Sequence, residues 1–289
     1  MADKTGNQAE VPTTGHEWDG IQELNTPLPK WWLYTFYACT LWAVVYWVLM
    51  PSWPLVSSYT KGIRNHSQRE VVAENVAAMH ALRMQHGAAL ADAELQAIED
   101  SPDMLTFALA NGKAAFGDNC APCHGTGAEG GRGYPNLNDD DWLWGGTLDD
   151  IHTTLLHGAN WDADEETRFG GMTAFGTDGI LEHGDIVTVA NYVRSLSGLE
   201  TEPGADLEAG KVIFEENCVA CHGDDAKGMH ETGAPNLTDS IWLYGSNLDT
   251  IVQTITNGRK GAMPAWVDRL DPVTIKSLAV YVHSLGGGQ

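Results

Sequence analysis

Basic residues are scarce in this chain: 16 Lys and Arg stand against 39 Asp and Glu, a net charge of -23 at pH 7. A phosphate backbone needs a basic face, so nucleic acid is excluded as a partner. An acidic surface instead favours a basic protein partner through electrostatic steering. Cysteine is also scarce, five in 289 residues. Four of them sit in two copies of one pattern, so no set of pairs remains for a disulfide framework. The fifth, Cys39, lies in an apolar run and reads as an inert buried thiol. Uncharged apolar runs of membrane length are absent but for one.

That run is Trp31 to Met50, 20 residues without a charge. As a helix it spans about 30 Å, the thickness of a bilayer's hydrocarbon core. Trp31, Trp32, Trp47 and Trp53 gather near its ends as interfacial anchors do, and Pro51 and Pro54 stop it. A cleavable signal peptide fits badly. The apolar stretch is too long, the residues before it are not basic, and Pro51-Ser52-Trp53-Pro54 offers no small-residue cleavage site. The expectation is a retained, single-pass membrane anchor in contact with lipid. Residues 1–30 before it read as an irregular tail.

The stretch Cys120-Ala-Pro-Cys123-His124 appears again as Cys218-Val-Ala-Cys221-His222. C-x-x-C-H is the attachment pattern of a c-type haem. Its two thiols form thioethers to the vinyl groups, and the adjacent His ligates the iron. A zinc site made of two C-x-x-C pairs is the alternative, and it leaves His124 and His222 unexplained. Two covalently bound haem c groups are therefore expected. Such haem is attached outside the cytoplasmic membrane, which places the cytochrome part in the periplasm of a bacterial inner membrane. Lys30 before the span, against Lys61, Arg64 and Arg69 after it, points weakly the other way. Large domains translocate largely regardless of such charge.

Around the motifs the chain repeats itself. Gly112, Phe116 and Asn119 recur as Gly210, Phe214 and Asn217 at the same offset as the cysteines; Pro135-Asn136-Leu137 recurs as Pro235-Asn236-Leu237; and Tyr192-Val193 recurs as Tyr281-Val282. Electron-transfer cytochromes close the sixth iron position with Met or His. Among eight Met, only Met172 and Met263 fall at matching places, each among small neighbours that let backbone approach a flat ring. They are the expected axial ligands, together with His124 and His222. Which Met serves which His stays open. Met229 follows His222 too closely to cross to the other face. Gly112 and Phe116 are expected to face Val189 and Tyr192, and Gly210 and Phe214 to face Leu278 and Tyr281. Trp142 and Trp242 wall the haem, reach a propionate with the indole N–H, or fill the core. The acidic run Asp162, Asp164, Glu165 and Glu166 lies in a nine-residue insertion of the first copy and reads as a solvated loop.

The resulting fold class is mainly α: one N-terminal transmembrane helix followed by two cytochrome c domains. The expected limits are 1–30 for the tail, 31–56 for the membrane helix, 57–102 for a helical connector, and 103–198 and 205–289 for the domains. The connector should hold a helix after Ser67 and a second, short one over Ala91 to Ile98, with Ser101-Pro102 opening the next.

Each repeat resembles a class I cytochrome c domain, which implies that the carbonyls of Pro135 and Pro235 accept hydrogen bonds from His124 and His222. The segments Gly15-His16-Glu17-Trp18-Asp19-Gly20-Ile21 and Asn25-Thr26-Pro27-Leu28-Pro29-Lys30-Trp31-Trp32, with the aromatic helix ending Met50-Pro51-Ser52-Trp53-Pro54, are more specific. With them the whole chain resembles the membrane-anchored di-haem subunit (subunit III) of cbb3-type cytochrome c oxidases. The resemblance implies no catalytic residue of its own. It implies electron transfer from a soluble or membrane-bound donor cytochrome, toward a mono-haem cytochrome c subunit and a haem–copper catalytic subunit. A membrane-anchored di-haem cytochrome serving another respiratory complex is the alternative. A di-haem peroxidase needs an open iron position, which the paired Met residues argue against.

Overall fold

A computed structural model describes residues 12–287. The first eleven residues of the expected tail, and Gly288 and Gln289, lie outside the described residues. The chain divides into two units, one up to His80 and one from Ala81 onward.

The first unit opens on a hairpin, β1 (Thr13–Trp18) antiparallel to β2 (Ile21–Leu24), where the sequence suggested an irregular tail. The cause is local. Asp19 and Gly20 both take positive φ, 49° and 86°, the pattern of a two-residue type I′ turn. Helix α1 (Lys30–Leu49) follows, shifted by one residue from the expected run. It is the one helix, among the described residues, long and apolar enough to cross a membrane. None of its residues is buried, and Cys39 is exposed rather than the buried thiol expected. Trp32 stacks on Phe36, and Trp47 meets Trp53 edge-on. The chain then folds back at Gly62, with φ +68°, and donates from Ile63 and Arg64 to the carbonyls of Val48 and Leu49. Those helix-end acceptors would otherwise be left without donors in the chain.

Helix α2 (Gln68–Asp92) begins after Ser67, and its last turns belong to the second unit. There Leu90 is fully buried, and Lys276 donates to the carbonyls of Ala91 and Ala93. The expected short helix appears later than predicted, as α3 (Leu95–Asp100). Then come α4 (Pro102–Asn119), α5 (Ala121–His124), α6 (Leu148–His157) and α7 (His183–Leu196). The second copy gives α8 (Leu207–Asn217), α9 (Val219–His222), α10 (Leu248–Asn257) and α11 (Pro272–His283). Equivalent helices start on equivalent caps. Thr147 accepts from the amide of Asp150 and Asn247 from that of Thr250, satisfying a free first-turn donor.

The helices pair across the repeat, not within it. A Cβ on Gly112 of α4 would strike the Ser277 carbonyl and Tyr281 of α11, and one on Gly210 of α8 would strike Thr188 and Tyr192 of α7. The rings follow: Phe116 meets Tyr281 at 5.6 Å and Phe214 meets Tyr192 at 5.6 Å. The expected pairings Gly112 with Val189 and Gly210 with Leu278 are thus corrected. Two separate apolar cores result. One joins Phe116, Ile151 and Leu155 to Leu278 and Val280. The other joins Ile186, Val189 and Val193 to Phe214, Ile251 and Ile255.

Replacing Gly112 with Val should force α4 and α11 apart and cost about 1–3 kcal/mol, as overpacking does. Gly117 of the same helix has open space around it. Gly117→Ala should be neutral or stabilising by up to about 1 kcal/mol through helix propensity. Thermal unfolding of the two variants checks the contrast.

Candidate haem-binding sites

Each C-x-x-C-H begins where a long helix ends. Cys120 caps α4 and Cys218 caps α8, and one tight turn, α5 or α9, carries the second cysteine and the histidine. The turn keeps its geometry in both copies: the amides of His124 and His222 donate to the carbonyls of Cys120 and Cys218 at 2.9 and 3.0 Å. Cys120 is buried, Cys218 half-buried, and Cys123 and Cys221 are exposed. Burial, and then the neighbouring thiol, pushes Cys120 and Cys218 up to about 11. Neither is a reactive thiolate.

The Nδ1–H of His124 donates to the Pro135 carbonyl at 3.0 Å, and that of His222 to Pro235 at 3.0 Å. Burial holds both imidazoles below the usual histidine value, against the opposing effect of that hydrogen bond. Both rings are therefore held neutral and oriented, with Nε2 unpartnered among the described residues, which is the form a metal accepts. Trp242 Nε1 is buried without a partner, whereas the Nε1 of Trp142, its repeat mate, donates to the Gly287 carbonyl. Two cysteines on a turn and a neutral histidine with one nitrogen free fit a covalently held haem in each site, and the orphaned Trp242 indole N–H adds to that fit in the second.

The Met loops are placed by strand-like pairing with the other copy. Met172 exchanges hydrogen bonds with Arg259 (2.7 and 3.2 Å), and Met263 with Ala159 (2.8 and 3.0 Å). Gly158 and Gly258, each just past a helix end with φ near +66°, lie against the Met263 and Met172 backbones, where a Cβ would not fit. Met263 consequently borders the core that holds Cys120, and Met172 the core that holds Cys218.

The nine-residue insertion closes on itself beside the Met263 strand. Asn160 donates to the Arg168 carbonyl, and Arg168 to that of Gly158. Its acidic run is only partly solvated. His157 stands 3.2 Å from Asp164 and 3.3 Å from Glu166, and Asp164 is nearly buried. Reading for motifs missed a further pair, Trp144 and Tyr244, which share the offset of Trp142 and Trp242. Trp144 covers Gly233 beneath the Arg168 guanidinium, and Tyr244 covers Gly133 beneath that of Arg259. The Gly133 amide donates to the Leu243 carbonyl at 2.8 Å, joining the two copies directly.

These features define a membrane-anchored di-haem c-type cytochrome. Residues 10–57 match the N-terminal domain of cytochrome oxidase-cbb3, FixP; residues 109–197 match cytochrome c; and residues 205–282 match cytochrome c oxidase, cbb3-type, subunit III. The chain is 61% identical to the cbb3-type cytochrome c oxidase subunit FixP of Bradyrhizobium sp. (strain ORS 278), over 96% of this chain and 95% of that one. It is 53% identical to the subunit CcoP of Azospirillum brasilense, over 96% of each, and 46% identical to FixP of Rhizobium meliloti (strain 1021), over the full length of both. The chain belongs to this family of cbb3-type cytochrome c oxidase subunits, and its two cytochrome c domains carry c-type haem.

At the seam between the copies lies a cavity of about 420 Å³ lined by Pro135, Asp141, Pro235, Trp242 and Tyr244. Burial, then Asp239 and Asp139, pushes the Asp141 carboxyl up to about 6, with His230 opposing. The folded chain therefore holds this proton more tightly than the unfolded chain does. The resulting stability is full below about pH 4 and lost as pH rises toward 6. Asp141→Asn should raise stability at pH 7 by about 1–2 kcal/mol, after discounting for partial exposure, and leave it unchanged near pH 4. Thermal midpoints at the two pH values check this.

Proposed function

We propose that this chain is a non-catalytic relay within its oxidase: it takes electrons from a donor cytochrome and hands them toward the mono-haem and haem–copper subunits. When bound, a c-type haem supplies a one-electron iron couple. The residues of the chain do the rest. Cys120, Cys123 and His124 would hold the first group, and Cys218, Cys221 and His222 the second. Pro135 and Pro235 aim the two imidazoles. Met263 would supply the sulfur donor to the first iron and Met172 to the second, each crossing from the opposite copy. The observation that carries this assignment is the strand pairing that sets each Met loop on the other copy's helix end. Thioether ligation raises an iron potential and leaves no open position for oxygen or peroxide.

The haem-binding bodies then differ from the sequence copies. One is residues 102–158 with 259–287. The other is the continuous stretch 170–258, a cytochrome whose last helix comes first. Both lie on the periplasmic side of the inner membrane, since that is where haem is joined to C-x-x-C-H.

A chain with Cys120 and Cys123 changed to Ala should keep only the second haem. In that background Met172→Ala should abolish the near-infrared sulfur–iron band of the oxidised protein, and Met263→Ala should leave it. The reverse pattern contradicts the crossed ligation. The isolated wild-type chain should accept one electron per haem from a reduced cytochrome and consume no oxygen. Oxygen uptake by the isolated chain contradicts the relay role.

A further inference from the structure

The hairpin Thr13–Leu24 is too small to hold its shape by packing of its own. A lone two-stranded hairpin is marginal in water, and every residue of both strands is exposed here. Yet the segment is built for this shape, with a type I′ Asp19-Gly20 turn and a base closed by the Asn25 amide on the Pro12 carbonyl at 2.7 Å. Trp18 and Ile21 stand directly opposite each other, so they share one face, and they are 66% and 72% exposed. Only five residues, Asn25 to Pro29, two of them proline, separate the hairpin from α1. It is therefore tethered close to one end of the membrane helix. Hairpin and helix also fall within one matched family domain, residues 10–57.

Charge identifies the surface it fits. From Pro12 to Pro29 there are three acidic residues, Glu17, Asp19 and Glu23, and no Lys or Arg. With the haem domains in the periplasm, this segment is cytoplasmic. The cytoplasmic leaflet is negative and repels it, whereas the cytoplasmic loops of membrane-embedded proteins are enriched in Lys and Arg. We propose that the hairpin is a docking element, with Trp18 and Ile21 as its apolar anchor, Glu23 as the acidic residue on the Ile21 side and Glu17 as the acidic residue on the other face, for a Lys/Arg-rich cytoplasmic loop of a membrane-embedded subunit of the same oxidase. This rests on the periplasmic placement of the haem domains. Aromatic anchors are usual in a binding hot spot, and opposite charge selects the loop over the lipid beside it.

The test uses the full chain in native membranes with a photoreactive benzoylphenylalanine at position 18. The expected product is a cross-link to another oxidase subunit, at a loop rich in Lys and Arg. In a Glu17→Lys/Glu23→Lys background the yield should fall several-fold at unchanged haem content. Lipid adducts alone, a cross-link to a second copy of this chain, or a yield indifferent to charge reversal overturns the docking. Thr26→Cys in a Cys39→Ser background reports orientation separately, through a membrane-impermeant maleimide. Labelling in inside-out vesicles without any cross-link overturns the docking alone. Labelling in right-side-out vesicles overturns the placement of the haem domains and the docking with it.

Discussion

The exchanged backbone hydrogen bonds of Met172 with Arg259 and of Met263 with Ala159 are the constraint on which the haem unit depends. Each pairs the loop of one copy with the end of a helix in the other, and only glycine fits beside it, at positions 158 and 258. Once those loops are crossed, the helices that follow must cross too. So α7 lies on α8 and α11 on α4, with Gly210 and Gly112 allowing the close approach. The two cores are distinct, yet neither is made from one sequence copy.

This arrangement suits a relay. Two cytochromes joined only by a linker drift relative to one another, and electron transfer falls steeply with separation. Crossed halves restrict that freedom, because the body 170–258 is tied into the other at both of its ends, through 159–169 and at 258–259, and by the Met172–Arg259 pair. The seam adds a direct hydrogen bond, Gly133 to Leu243, and two arginine-capped rings, Trp144 and Tyr244. An acidic cost is tolerated there at Asp141, facing Asp139 and Asp239. Unpaired carboxylates at a seam oppose folding at neutral pH.

Much of this was legible in the residues. The two C-x-x-C-H motifs, the matched Met172 and Met263, and the proline carbonyls behind His124 and His222 all follow from pattern and from the class I resemblance. The crossing did not follow from the pattern. Gly112 with Phe116 is chemically the same surface as Gly210 with Phe214, and Tyr192 presents the same ring as Tyr281, so pairing within a copy and between copies look alike in the sequence. The deciding signal was connection length. Ser197 to Asp206 is a short joint between α7 and α8, and short joints make antiparallel neighbours. The hairpin was missed for a different reason. Its Asp19-Gly20 turn was a sufficient signal, but strands of six and four residues show too little alternation to be noticed. The hold of His157 on Asp164 was illegible, because it depends on how a nine-residue insertion folds back on itself.

The crossed ligation is tested most directly by cutting the chain at the joint. A specific protease site placed between Leu199 and Ala205 would sever the two sequence copies in the otherwise intact, haem-loaded protein. If each iron takes its Met from the opposite copy, the two fragments stay together under native conditions. They then part only on denaturation, both haems losing the sulfur–iron band in the same transition. Fragments that separate freely, each keeping its own band, would contradict the account.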